Sequence, residues 1–263
     1  MASKPANILI ISEGAVAEEA IMRKLQKAYG LDGKFEYTSY KTNIYVLYNQ
    51  MFADKDISVL DIQSHLRTKE EKAYSKATTD DERVKIALMI DILSRNYSEI
   101  YLIFDIESPQ DEKYCPLKIR RMTMYFNDAT DMGKLYISYP MVESFYHMAS
   151  IPDVNYNTYT TQTNMLVKKQ YKQRVRAESR NKKYFDRFAI NEDECTTIIE
   201  HNITKAWHIT TKTRDKLIPD SIDILEAQLY KMRTEQSMYV LCTCIFYFAE
   251  YFKSKFTPQE TTP

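Results

Sequence analysis

Two near-continuous apolar runs frame the first half of the chain, Ile8-Leu9-Ile10-Ile11 and Ile100-Tyr101-Leu102-Ile103-Phe104. Runs of this kind suit strands covered on both faces, as in a parallel sheet with helices on each side. Between them the spacing changes. Val16, Ala20, Ile21, Leu25 and Ala28 recur at helical intervals, and Gly30 and Gly33 then supply a stop and a turn. Residues 35–40 predict a second strand, 43–51 a helix through Ile44, Leu47, Tyr48 and Met51, and Ile57-Ser58-Val59-Leu60 a short strand. The charged stretch 66–97, apolar in its second half, predicts a helical insertion of two helices broken at Thr78-Thr79-Asp80-Asp81. Beyond the second apolar run come a helix over 116–126, a strand over 134–139 closed by Pro140, and a helix opened by Met141. Residues 151–163 read as a loop rich in Tyr, Asn and Thr, residues 164–256 as helical throughout, and 257–263 as a disordered tail. An apolar helix over 238–249 is expected to be buried, in the core or, as the lesser alternative, in a homodimer or other partner contact. The alternation predicts an α/β fold: a mainly parallel sheet flanked by helices over 1–150, with a helical insertion and a helical C-terminal region over 151–256.

Composition narrows the chemistry. Only four of 263 residues are glycine, and neither G-x-G-x-x-G nor G-x-x-x-x-G-K-[ST] occurs, so glycine-rich phosphate loops are excluded. Formal net charge is zero, and any nucleic-acid contact must therefore come from a local patch. Cys115, Cys195, Cys242 and Cys244 form no C-x-x-C pair and read as reduced cysteines. His65, His147, His201 and His208 lack metal-site spacing, although His147 follows Glu143 by four residues and would share a helix face with it. No signal-peptide pattern and no apolar stretch of membrane-spanning length, about 20 residues, is present. A cytoplasmic protein without membrane contact is expected.

The candidate chemistry lies at the ends of the two apolar runs. Glu13 follows the first, and Asp105 and Glu107 follow the second. In parallel sheets, ligands bind outside the carboxyl ends of the strands, where all three would lie. Carboxylates converging there call for a hard cation with oxygen ligands, Mg²⁺ or Mn²⁺, which points to chemistry on phosphates. Either Glu107 or the nearby Asp111 would complete the ligand set with Glu13 and Asp105. Glu143 either joins the cluster or serves as the first-turn carboxylate of a helix.

The segments Ile10-Ile11-Ser12-Glu13-Gly14 and Leu102-Ile103-Phe104-Asp105-Ile106-Glu107 resemble the two acidic motifs of the Toprim (topoisomerase–primase) fold. Glu107 stands where that family has a second aspartate. Tyr139-Pro140-Met141-Val142-Glu143-Ser144 is similar to a later segment of Toprim nucleases from bacterial anti-phage defence systems. The resemblance spans roughly residues 7–150. It implies that Glu13 handles protons while Asp105 and Glu107 hold the metal. It further implies a toxic effector of abortive infection, held silent by a regulatory ATPase partner, with structured RNA such as tRNA ahead of DNA as substrate.

Downstream, Lys168, Lys169, Lys172, Arg174, Arg176, Arg180, Lys182, Lys183 and Arg187 face only Glu178 and Asp186, a local net charge of +7. Tyr171, Tyr184 and Phe185 are interleaved with them. Cations for phosphates and rings for bases make this a candidate nucleic-acid surface, the plain alternative being a solvated helix face. Arg120 and Arg121 would extend it. Two other functions compete with a nuclease: a non-catalytic regulatory or scaffold protein that retains the fold, and a nucleotide phosphoryl-transfer enzyme.

Overall fold

The computed structural model describes residues 8–14, 16–31, 35–52, 61–106, 108–109, 112, 114–130, 132–165, 170–182 and 185–256. The short strand expected at Ile57-Ser58-Val59-Leu60 lies outside them. Both apolar runs are strands: β1 is Ile8–Ser12 and β3 is Glu99–Asp105. Every residue of β1 is buried, so both faces are covered. Full burial of an Ile or Leu side chain stabilises by roughly 1.5–3 kcal/mol, which makes this run a strong anchor for the core.

With β2 (Phe35–Ser39), β4 (Asn127–Asp128) and β5 (Gly133–Ser138), these strands form one sheet in the order β2-β1-β3-β5-β4. The pairings β1–β2, β1–β3 and β3–β5 are parallel, and only β4 runs antiparallel, to β5. The chain is therefore α/β with a mainly parallel mixed sheet. The strand order reverses between β1 and β3, which opens a crevice at their carboxyl ends. Gly133 begins β5 at φ +105°, and a Cβ there would lie 2.7 Å from Leu102 Cδ1. Only glycine fits that approach.

Ten α-helices surround the sheet among the described residues. They are α1 (Ala17–Ala28), α2 (Ile44–Phe52), α3 (Ile62–Tyr74), α4 (Asp80–Leu93), α5 (Pro116–Tyr125), α6 (Gln170–Glu178), α7 (Glu192–Thr210), α8 (Ser221–Glu235), α9 (Phe246–Tyr251) and α10 (Lys253–Phe256). The break in the 66–97 stretch falls where expected: Thr79 caps α4 by accepting from the Glu82 N–H. No helix among the described residues is long and apolar enough to cross a membrane.

Three expectations fail. The helix opened by Met141 is instead a short 3-10 turn, Val142–Tyr146, every residue of which is buried. The region 164–256 is not helical throughout, because Ser237–Tyr239 forms strand β7, antiparallel to β6 (Thr160–Gln162) in the supposed loop 151–163. The apolar helix over 238–249 is instead extended chain to Thr243 and a turn at Cys244-Ile245, and helix begins only at Phe246. Periodicity could not decide there, since a continuous apolar run fits a buried strand as well as a buried helix.

The burial expected of that segment holds. Leu241 bridges to Tyr139 through paired backbone hydrogen bonds of 2.7 and 2.9 Å, and Thr243 Oγ1 donates to Ile137 O at 2.7 Å. Tyr247 packs against Tyr101 at 5.5 Å and Phe35 at 5.6 Å between ring centroids, which extends the sheet's core into the C-terminal chain.

Candidate active site at the carboxyl edge of the sheet

β1 and β3 are neighbours in register, with Ser12 opposite Ile103, so Glu13 and Asp105 leave adjacent strand ends on the same edge. The ladder runs one step further: the Glu13 N–H donates to Ile103 O at 2.9 Å. The Glu13 side chain then turns along the edge, and its Oε2 accepts from the Asp105 N–H at 3.2 Å. Asp105 Oδ1 in turn accepts from the Val142 N–H at 2.8 Å, in the turn after β5. Three consecutive strand ends are thus tied through two carboxylates.

Both line a cavity of about 580 Å³ together with Glu18, Lys41, Val142 and Lys172. Glu18, on α1, is buried and folds back so that Oε1 accepts from the Gly14 N–H at 3.1 Å. A side chain at position 14 would come within 3.0 Å of the Glu18 carboxylate, so glycine admits this close fold. Glu143 sits in the buried turn, with Oε1 2.5 Å from Lys172 Nζ, while its Oε2 is buried with no hydrogen-bond partner among the described residues.

The electrostatics follow from this crowding. Burial, then Glu13, Glu18 and Glu143, push the Asp105 carboxyl well above the usual carboxylate range, against the opposing Val142 N–H. Lys172 is held above the usual lysine value: burial disfavours its charge, and Glu143, Asp105 and Glu18 outweigh that.

The expected site residues fare unequally. Glu13 and Asp105 come together. Glu107, Asp111, Lys168, Lys169 and Lys183 lie outside the described residues. Glu143 stands in the first turn of the 3-10 segment and also adds its charge to the carboxylates around Asp105. Of the basic stretch, Lys172 reaches the cavity, whereas Arg174 pairs with Glu178 at 2.9 Å and Arg180 with Glu194 at 2.5 Å. Arg176 and Lys182 are exposed.

Tyr171 is fully buried against His147 and cannot stack on a base. His147 does not pair with Glu143; its ring nitrogens meet the Tyr171 hydroxyl at 2.9 Å and Glu178 Oε2 at 2.8 Å. Arg120 and Arg121 do not extend the surface. Arg120 is paired with Glu226 in a separate cavity of about 650 Å³, and Arg121 lies over the Phe52 ring. Glu18 and Lys41 were not foreseen. The signal for Glu18 was a carboxylate four residues beyond a glycine at the strand-to-helix turn.

Among the described residues, no three His, Cys, Asp or Glu side chains are gathered to hold an ion. Glu13 and Asp105 nonetheless offer two hard oxygen donors in one cavity. A divalent cation would offset the crowding of carboxylates around Asp105, so the residues fit such an ion. Comparison with protein-family models, curated proteins and solved structures found no match for the chain.

Proposed function

We propose that the chain is a divalent-metal-dependent phosphodiesterase of the Toprim kind, acting on nucleic acid, with Glu13 and Asp105 at its centre. The observation that carries this reading is the convergence of those two carboxylates on adjacent strand ends at the sheet's switch point. Asp105 and Glu13 would hold the cation, Mg²⁺ or Mn²⁺, together with Glu107 or Asp111. When bound, such an ion polarises a phosphoryl oxygen and favours an attacking hydroxide.

The protein's own groups do the rest. Val142 N–H fixes one oxygen of Asp105 and thereby its orientation. Glu13, held by the Asp105 N–H, would move the proton. Lys172, held cationic by the surrounding carboxylates, offers a charged donor to a phosphate entering the cavity. The fold's likeness to Toprim, the choice of RNA over DNA, and the role of toxic effector under an ATPase partner rest on the motif resemblance alone.

Incubation of RNA and DNA panels with Mg²⁺ tests the reading. Wild type is expected to cleave, and Glu13→Ala and Asp105→Ala to lose roughly 10²–10⁴-fold in rate, the usual weight of acid–base and metal-holding groups. Cleavage and cellular toxicity unchanged in both variants would sink it.

A further inference from the structure

Beside the acid cavity, sharing Val16, Ala17 and Lys172 with it, runs a larger groove of about 950 Å³. It is lined by α1, α6 and the chain leading into α7. Each of its carboxylates has a cation beside it: Glu143 Oε1 pairs with Lys172, Glu192 with Lys255, and Asp186 lies beside Lys24. Two exposed cations in the groove, Lys27 on α1 and Arg176 on α6, carry no side-chain ion pair or hydrogen bond among the described residues. A third, Arg23, shares the Glu19 carboxylate at 2.6 Å.

Apolar surface lies between these charges. Val16 is 80% exposed and Ile190 67% exposed, large values for groove-lining aliphatic side chains. Cations fit phosphates, and exposed apolar walls fit the faces of unstacked bases. A duplex hides its base faces in the stack and offers mainly phosphates to a groove of this kind, leaving those walls unused.

We propose that the groove between α1 and α6 binds single-stranded nucleic acid, with Lys27 and Arg176 on its phosphates, and leads one phosphodiester past Lys172 to Glu13 and Asp105. The assignment rests on the phosphodiesterase reading for its purpose, but its binding claim is separately measurable. It adds a wall, α1, whose cations lie far in sequence from the basic stretch 168–187.

The test is fluorescence anisotropy on the full chain in EDTA. The probes are labelled strands of roughly 12 nucleotides, as RNA and as DNA, within the usual span of one single-strand site, and the corresponding duplexes. Single strands are expected to bind about tenfold more tightly than duplexes. Combined Lys27→Gln and Arg176→Gln should weaken that binding several-fold and reduce the slope of log affinity against log salt by about 1.4, the share of two phosphate contacts. Arg120→Gln, in the separate cavity, should change neither. Equal affinity for duplex, or a double variant that binds like wild type, overturns the proposal. The two readings fail differently. Hydrolysis insensitive to Glu13→Ala and Asp105→Ala removes the enzyme and leaves the groove. A double variant with unaltered binding removes the groove and leaves the enzyme.

Discussion

Two regions bury charge in opposite ways. Around Lys205, on α7, the buried polar groups have close partners. Its Nζ donates to Tyr156 O and Tyr159 O, both at 2.7 Å. Asp153 accepts from the Ala149 N–H, the Asn155 N–H and the Tyr159 hydroxyl, while Asn202 Oδ1 accepts from the Tyr156 hydroxyl and the Cys242 N–H. Burial pushes Lys205 down to about 7, with Asp153 pulling the other way. At the sheet edge, by contrast, like charges crowd: Asp105 is repelled by Glu13, Glu18 and Glu143, and one Glu143 oxygen has no partner among the described residues. The first network ties α7 to the 149–159 segment and to the chain at Cys242. An unsatisfied one is tolerated where a ligand completes it.

The sharpest way to break this contrast is kinetic. The roughly 10²–10⁴-fold loss expected for Glu13→Ala or Asp105→Ala should come with little loss of stability, because these groups repel one another in the free protein. Lys205→Met should do the reverse. It orphans two buried carbonyls and is expected to cost about 2–4 kcal/mol in urea unfolding, with hydrolysis per folded molecule retained.

The lysine also has a pH signature. A depressed native pKa means that the unfolded chain holds the proton more tightly, so this residue's contribution to stability rises with pH between about 7 and the ordinary value of 10.5. The stability gap between wild type and Lys205→Met should widen across that window; a constant gap would show that the amine keeps its ordinary affinity for a proton in the folded chain. Gly133→Ala tests the frame beneath both regions. Strained φ and the contact with Leu102 should cost roughly 1–3 kcal/mol in thermal or urea unfolding. An unchanged midpoint would mean that β5 starts elsewhere.

Much of this was legible along the chain because the apolar runs of β1 and β3 leave no alternative to burial on both faces. Their parallel pairing alone brings Glu13 to Asp105. The errors cluster where local pattern is silent about partners. The apolar residues from Met238 onward fit a helix, yet Gln236, at φ +51°, ends α8, and the Gln228 side chain bonds both the N–H and the carbonyl of Tyr239. Tyr171 sits amid cations in sequence but faces His147 in space. Lys27 and Arg176 lie 149 positions apart, so no local motif could show that they share a groove.

Thermal unfolding of wild type and Asp105→Asn, each in EDTA and in Mg²⁺, addresses the central claim most directly. Asn keeps an acceptor for the Val142 N–H and removes the repelled charge. The variant should therefore be the more stable protein in EDTA, by about 1 kcal/mol. Mg²⁺ should raise the midpoint of wild type, as any ligand of the native state does, and leave Asp105→Asn nearly unmoved. Equal responses to Mg²⁺, or a destabilised variant in EDTA, would contradict a carboxylate pocket held ready for a cation.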